Sequence, residues 1–292
     1  MVTWKKIIGL IIAMSLATSG ASPTIGTKVI DSKYNNEELS AMEIVSDMRI
    51  GWNLGNTLDS YGSNISISDS PLKAETAWGN PKTTKELIDT VIDSGFNVIR
   101  IPVTWMQHVG AAPDYKISDS WLARVKEVVD YAYDKGAYVI INTHHEDWNY
   151  PYYDNLDAAS KEMSAIWSQI AEVFKDYDEH LIFEGQNEPR KVGTGVEWTG
   201  GDEEGWEVVN KLNKVFVDTV RSSGGVNQNR LLMICGYGAN STVGIKHIDI
   251  PENDSRIIVS VHAYEPYDFA LNTSGQSTWN DDKTAIDTLM GT

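Results

Sequence analysis

Apolar residues along the chain follow two alternating periods. Short runs rich in Ile, Val and Leu recur at Arg49–Gly55, Asn97–Val103, Tyr138–His144, Leu181–Glu188, Arg230–Gly236 and Ile257–Tyr264. Runs of that length and content are those of buried parallel strands. Between them the spacing becomes helical. Leu87, Ile88, Val91 and Ile92 mark one apolar face before Gly95, and Trp121, Leu122, Val125, Val128, Val129 and Ala132 mark a second before Gly136. Glycine just past the last periodic residue is a common helix stop. Ile166, Ile170 and Phe174 mark a third helix, and Leu212, Val215, Phe216 and Val220 a fourth. The connection between Gly236 and Ile257 is short and shows the helical period least, while Trp279–Thr292 reads as a further helix. Upstream, Ser40 and Glu43 have the spacing of a capping box for a helix over Ala41–Met48.

Alternating strand and helix units predict a parallel sheet with helices outside it. The polar positions inside the runs choose between an open, doubly wound sheet and a barrel. Arg100, then Asn142 and His144, then Glu184, Gln186 and Glu188, then Ser260, His262 and Tyr264 occupy alternate positions. Side chains at alternate strand positions share a face. A sheet covered by helices on both sides has no place for so many buried polar groups, whereas the upper interior of a barrel does. These groups also gather at the C-terminal ends of the runs, where barrel enzymes keep their chemistry. The fold class expected is α/β, a (β/α)8 TIM barrel with about six of the eight βα units present. The division expected is a leader over residues 1–21, an N-terminal lead-in over 22–39 and a partial barrel domain over 40–292.

Composition narrows the setting. Lys5 and Lys6 precede the apolar run Ile7–Ala17, and the small residues Ser19 and Ala21 follow. The run is shorter than the roughly 20 residues a membrane-spanning helix needs. That order is the one a secretory signal takes, which predicts a secreted, extracellular protein. A formal net charge of −17 disfavours nucleic acid and anionic membranes as partners but leaves neutral polymers open. The single cysteine, Cys235, excludes an intramolecular disulfide, and its apolar neighbours predict a small core residue rather than a nucleophile. Ten Trp and thirteen Tyr suit a sugar-binding surface, although a large core uses them too. Asn64-Ile-Ser66 is a glycosylation sequon of a kind common by chance.

The chemistry starts from Asn187-Glu188 at the end of the fourth run. Hydrolysis of a glycosidic bond with retained configuration takes two carboxyl groups about 5 Å apart, one to protonate the leaving oxygen and one to attack the anomeric carbon. Glu188 after a buried strand is a candidate for the first, and Asn187 for holding the sugar 2-hydroxyl. Arg100, inside the second run, needs a carboxylate partner at the barrel mouth because a buried guanidinium is costly alone. His144 and His145 invite a metal reading, but neighbours on a strand face opposite ways, so hydrogen bonding to sugar hydroxyls or to a carboxylate is the expectation and no metal site is assigned. His262 and Tyr264 place two more polar groups on one face.

Taken together, Gly51-Trp-Asn-Leu-Gly-Asn-Thr-Leu-Asp59, Trp78-Gly-Asn-Pro81, Ile99-Arg-Ile-Pro-Val103, Thr143-His-His145, Phe183-Glu-Gly-Gln-Asn-Glu-Pro-Arg190 and Val261-His-Ala-Tyr264 resemble glycoside hydrolase family 5, and in particular its secreted bacterial endo-β-1,4-glucanases. The resemblance runs from about residue 40 onward. It implies that Glu188 is the proton donor and later the base, that Arg100 neighbours the nucleophile, and that Tyr264 hydrogen-bonds it. It further implies that His144, Asn187 and His262 complete the subsite of the sugar under attack, and that no metal or organic cofactor is needed. His145, Trp148 and Asn53 are expected sugar contacts. Gln186 stands where relatives usually carry Met.

In the family the nucleophile is a second Glu in a Gly-Glu-Phe/Trp-Gly-like context, and no such segment follows Tyr264. Glu265 does not match it. The expectation is therefore a C-terminally truncated chain, inactive alone, whose full-length form hydrolyses β-1,4-glucan and can carry a carbohydrate-binding or docking module. Family members acting on xyloglucan, mixed-linkage glucan, mannan or xylan, and a non-catalytic glycan-binding protein, remain as alternatives.

Overall fold

A computed structural model describes residues 40–279 and 282–291. The proposed signal peptide and lead-in, residues 1–39, lie outside the described residues. Six parallel strands form one sheet in sequence order: β1 (Gly51–Asn53), β2 (Val98–Ile101), β3 (Tyr138–Asn142), β4 (Leu181–Glu184), β5 (Leu232–Asn240) and β6 (Ile257–His262). The helices are α1 (Ala41–Asp47), α2 (Pro71–Glu75), α3 (Lys85–Asp93), α4 (Asp119–Tyr133), α5 (Leu156–Val173), α6 (Glu203–Ser222), α7 (Tyr267–Ala270) and α8 (Thr284–Met290). Gly95 and Gly136 take positive φ just past α3 and α4, as the helix stops required.

Period two sorts each strand into a face toward the helices and a face toward the barrel interior. Ile99, Ile101, Val139, Ile141, Leu181, Phe183, Leu232, Ile234, Ile257 and Val259 pack with α3 to α6 in the main core. Val98, Tyr138, Ile140, Ile182, Leu231, Met233 and Ile258 form a second cluster with Ala41, Ile44 and Met48, so α1 plugs the interior from below. The capping box that starts α1 is present, with the Ser40 N–H donating to Glu43 Oε2 at 2.7 Å. Above this apolar layer the interior-facing positions turn polar: Arg100, Asn142, Glu184, Ser260 and His262. The barrel is dry at its foot and polar at its mouth.

Every strand except β5 is shorter than its apolar run. β3 stops at Asn142 and β4 at Glu184, so His144 and Glu188 belong to loops, not to strand ends. The helix expected least clearly, between β5 and β6, is absent: β5 extends to Asn240 and a single 3-10 turn, Gly244–His247, makes the crossover. α2 was not expected. Its Glu75, with no exposure, accepts two hydrogen bonds from Arg124 of α4, at 2.8 and 2.9 Å, and one from the Thr83 N–H at 2.6 Å. That buried pair clips the long β1–α3 loop to the barrel wall. Cys235 is buried and its thiol faces the Gln186 carbonyl at 3.4 Å, a core position as expected.

His108 packs flat on Trp121, with ring centroids 3.8 Å apart, and its buried Nε2 has no partner among the described residues. Burial pushes the imidazole from 6.5 down to about 4, against a weak opposing pull from Asp69. Between those values the unfolded chain takes up a proton that the folded chain refuses. Stability is therefore full above pH 6.5 and falls as pH drops toward 4, by about 3 kcal/mol at most. Urea midpoints at pH 7 and pH 4.5 should show a smaller acid loss for His108→Phe, which keeps the stack; an equal loss would show that other groups dominate.

Candidate active site

The mouth of the barrel is organised by one guanidinium. Arg100 donates from Nε to Glu184 Oε2 at 2.7 Å and from NH2 to Glu184 Oε1 at 3.0 Å, a two-pronged ion pair with a carboxylate that has no exposure. The same NH2 reaches Asn187 Oδ1 at 2.8 Å, and NH1 reaches Asn53 Oδ1 at 2.9 Å. Arg100 thus ties the ends of β1 and β4 to β2. A carboxylate partner was expected for it, but Glu184 was not singled out.

Glu184 and Asn187 meet the same arginine although they stand three positions apart, which strict alternation forbids. The chain leaves β4 at Gly185-Gln186. Gly185 allows it, because a Cβ there would lie 2.5 Å from the Phe216 ring of α6. Gln186, expected to face inward with Glu184 and Glu188, instead faces outward. Its amide donates to Asn213 Oδ1 of α6 at 3.1 Å and its oxygen accepts from Asn149 at 3.4 Å. Asn187 N–H still donates to the Thr143 carbonyl at 3.1 Å, so the loop stays anchored to its neighbour.

Glu188 lies just beyond this kink, 14% exposed, with His262 Nδ1 2.6 Å from its Oε1. His262 ends β6, two strands from β4. Burial pushes the Glu188 carboxyl up, but the His262 hydrogen bond and the charges of His262, Arg190 and Arg100 outweigh it, leaving it below the ordinary range. Arg190 reinforces the arrangement: NH1 donates to the Glu188 carbonyl at 3.0 Å and lies 3.8 Å from its Oε2, while Nε donates to Glu197 at 3.1 Å. Its guanidinium also sits 4.2 Å from the ring centre of Trp198, which is 61% exposed. Tyr264 follows β6 and is partly exposed; burial, then the Glu188 charge, raises its phenol.

His144 and His145 do not face opposite ways. Both lie past the end of β3, with rings edge to face at 4.5 Å. With Asp59 they bring three possible ligand atoms within 4.8 Å of one another. The donors nevertheless fit a cation poorly. Asn142 Oδ1 accepts from Val103 N–H, which turns its NH2 toward His144 Nδ1 at 3.0 Å. That nitrogen is therefore the acceptor, and the proton sits on Nε2. Asp59 already accepts N–H bonds from Asn56 and Thr57, at 3.1 and 2.8 Å. Burial and then the Arg100 charge hold His144 well below an ordinary imidazole, and the same charge would repel a metal ion. A neutral Nε2–H at the mouth suits a sugar hydroxyl.

Trp148 differs most from expectation. Its indole is only 8% exposed, and its N–H donates to Glu146 Oε2 at 2.7 Å. Glu146 also accepts the N–H groups of Trp105 and Met106 at 2.7 and 3.0 Å. Beside His145 the exposed aromatic surface comes from Tyr61 and Trp78. Sequence could have pointed to Trp78, which lies in a recognised motif, but exposure is not written in a motif.

A largely buried carboxylate held by an imidazole, a guanidinium–carboxylate pair and an amide thus gather at the C-terminal mouth of a parallel barrel, where barrel enzymes keep their chemistry. The profile described as "Cellulase (glycosyl hydrolase family 5)" matches residues 58–291, and the chain belongs to that family. Endoglucanase A of Ruminococcus albus is 56% identical over 239 residues, which are 81% of this chain and 64% of that protein. The chain thus spans less than two thirds of that relative's length. Among solved structures, a GH5-4 broad specificity endoglucanase from Ruminococcus champanellensis with bound cellotriose superposes with a TM-score of 0.81 at 46% identity, covering 84% of this chain and 72% of that one. A GH5 xyloglucan-specific endo-β-1,4-glucanase from a metagenomic library, in complex with cellotriose, gives 0.80 at 50% identity, covering 86% and 74%.

Removing Arg100 leaves Glu184 buried without its counter-charge, with the Asn142 amide still donating to it at 3.3 Å. Arg100→Met should lower unfolding stability by about 3–5 kcal/mol, and the double change Arg100→Met with Glu184→Leu should recover most of it. Urea denaturation of the three proteins checks this; an Arg100→Met protein as stable as the parent would show that the pair is not the keystone of the mouth.

Proposed function

We propose that the chain carries the acid/base part of a retaining, endo-acting hydrolase of β-1,4-glucan, exported from the cell. The observation that carries the reading is Glu188, largely buried at the barrel mouth and gripped by His262, with Arg190 and Arg100 near enough to lower its carboxyl and Asn187 held by Arg100. In this scheme the Glu188 carboxyl protonates the leaving glycosidic oxygen, then draws a proton from the water that releases the sugar. Asn187, His144 and His262 hold hydroxyls of the sugar under attack, Asn53 and His145 add further contacts, and Tyr264 orients the attacking carboxylate. Trp148 acts from behind, through Glu146, by holding the His144–His145 loop.

The attacking carboxylate is proposed to lie in sequence following Thr292, since Glu184 is committed to Arg100 and Glu265 lacks the family context. The broad-specificity relative supports a site that accepts more than one β-glucan, and the xyloglucan-specific relative makes xyloglucan the alternative substrate. An acidic protein with an uncharged aromatic surface at its mouth also suits a neutral polymer.

Three measurements test the scheme. The 292-residue chain should not release reducing ends from carboxymethylcellulose, and the full-length gene product should; turnover by the shorter chain would refute the assignment of the nucleophile. In the full-length protein, Glu188→Gln should lower kcat on cellulose by about 10²–10⁴-fold, with a smaller loss on aryl glycosides whose leaving group needs no proton. Equal activity of Glu188→Gln would remove Glu188 as the acid. His262→Ala takes away a hydrogen bond and a charge that hold Glu188 low, so the alkaline limb of the kcat/KM profile should move to higher pH.

A further inference from the structure

We propose that Asn240 is a positioning residue for Glu188: by pinning a bulge at the end of β5 it holds the imidazole of His262 against the Glu188 carboxylate. The importance of that contact rests on the hydrolase reading above, but the geometry and its test do not.

Glu188 follows β4 and His262 ends β6, so their 2.6 Å contact has to cross β5. β5 makes way for it. Cys235 pairs with Ser260 and Asn240 with His262, so residues 236–239 of β5 stand opposite Val261 alone. Extra length on one side of a ladder bends that strand and re-aims the side chains next to it. The residues of the bulge are Gly236, Tyr237, Gly238 and Ala239. Tyr237 turns toward the loop after β4, where its hydroxyl accepts the Lys191 N–H at 2.8 Å. The other three carry nothing larger than a methyl group, which leaves His262 room to reach across.

The same bulge grips the Glu188 segment. Gly238 N–H donates at 2.9 Å to the carbonyl of Pro189, the residue after Glu188. β5 thus holds Pro189 by one bond and His262 through the ladder, and sets the two halves of the contact relative to each other.

The bulge does not hold itself. Gly238 has a φ of 60° and Ala239 of 48°. An alanine occupies the left-handed region only where its surroundings impose it. The constraint follows at once in sequence. Asn240 Oδ1 accepts the N–H groups of Thr242, Val243 and Gly244 at 3.1, 2.7 and 3.1 Å, and the Thr242 hydroxyl at 3.2 Å. Those bonds fold the chain back until Gly244 closes on the bulge, where a Cβ would stand 2.5 Å from the Tyr237 carbonyl. Without the amide oxygen three N–H groups lose their acceptor, the bulge relaxes, and the His262 end of the ladder moves away from Glu188.

The Glu188 carboxyl reports this contact without any substrate. Burial raises it, and the His262 hydrogen bond is foremost among the influences that lower it. Arg190, Arg100, Cys235, His145 and Tyr264, which also feel its charge, remain in every variant. The readout is a carbon-13 NMR titration of the full-length gene product labelled at glutamate Cδ, with the Glu188 signal assigned by its loss in Glu188→Gln. Asn240→Ala should raise the Glu188 midpoint by about half a pH unit, in the direction His262→Ala moves it. The double change should raise it no further than His262→Ala alone, because both act through one contact. Asn240→Ser, which keeps a shorter acceptor, should fall between the parent and Asn240→Ala. A lowered melting temperature with an unmoved midpoint would make Asn240 a residue of stability only and overturn the proposal. A double variant whose shift is the sum of the two single shifts would overturn it as well. If Asn240→Ala does not fold, Asn240→Ser decides: a raised midpoint supports the proposal and an unmoved one overturns it. Failure of the hydrolase reading shows elsewhere, as parent-like turnover by Glu188→Gln, and leaves these midpoints as they are.

Discussion

The mouth of this barrel depends on the buried ion pair between Arg100 and Glu184. Three strands end in polar side chains that must leave water together, and one planar guanidinium satisfies a carboxylate and two amides at once. A lysine could not do this, since its single ammonium cannot present a fixed fork to Glu184 while reaching Asn53 and Asn187. The pair places Asn187, and hence the residue after it, at a set height above the interior. Glu188 owes its place to a contact it does not itself make.

Much of this was legible in sequence, for identifiable reasons. Strand and helix periods are local properties, so the six strands and the faces of α3 to α6 could be read directly. Polar residues at alternate strand positions required an interior that admits water at one end, and Arg100 required a carboxylate. What could not be read is where the strand geometry gives way. The expectation that Gln186 faces inward and that His144 and His145 diverge rested on a period of two continuing past Asn142 and Glu184. At Gly185 the packing of Phe216 overrides it, and beyond Asn142 the chain is a loop whose imidazoles can converge. The burial of Trp148 was not legible for a related reason: composition shows that a tryptophan is present, while only packing shows which one is exposed.

Those departures from regular structure are where the proposed site residues collect. Regular strands can place side chains only at fixed intervals, and their C-terminal ends here are filled by the groups that neutralise one another. The loops, each pinned by a few bonds such as Asn187 to Thr143 and Glu146 to Trp105, can set Glu188, His144 and His145 at distances a strand does not allow. Rigidity then comes from anchoring rather than from secondary structure, which suits the proposed role of holding a substrate in one register.

The protonation of Glu188 links these threads. Gripped by His262 and flanked by Arg190 and Arg100, its carboxyl sits below the ordinary range despite its burial. An ionised carboxylate cannot donate a proton to a leaving oxygen. Retaining hydrolysis needs a second carboxylate about 5 Å away in any case, and a negative charge at that distance disfavours ionisation of the first. In the proposed scheme the two requirements have one answer: the group that attacks the anomeric carbon also keeps the proton on Glu188 until it is needed. In that scheme the charge is gone once the attacking group becomes an ester, and the same basic neighbours favour an ionised Glu188 able to accept a proton from water.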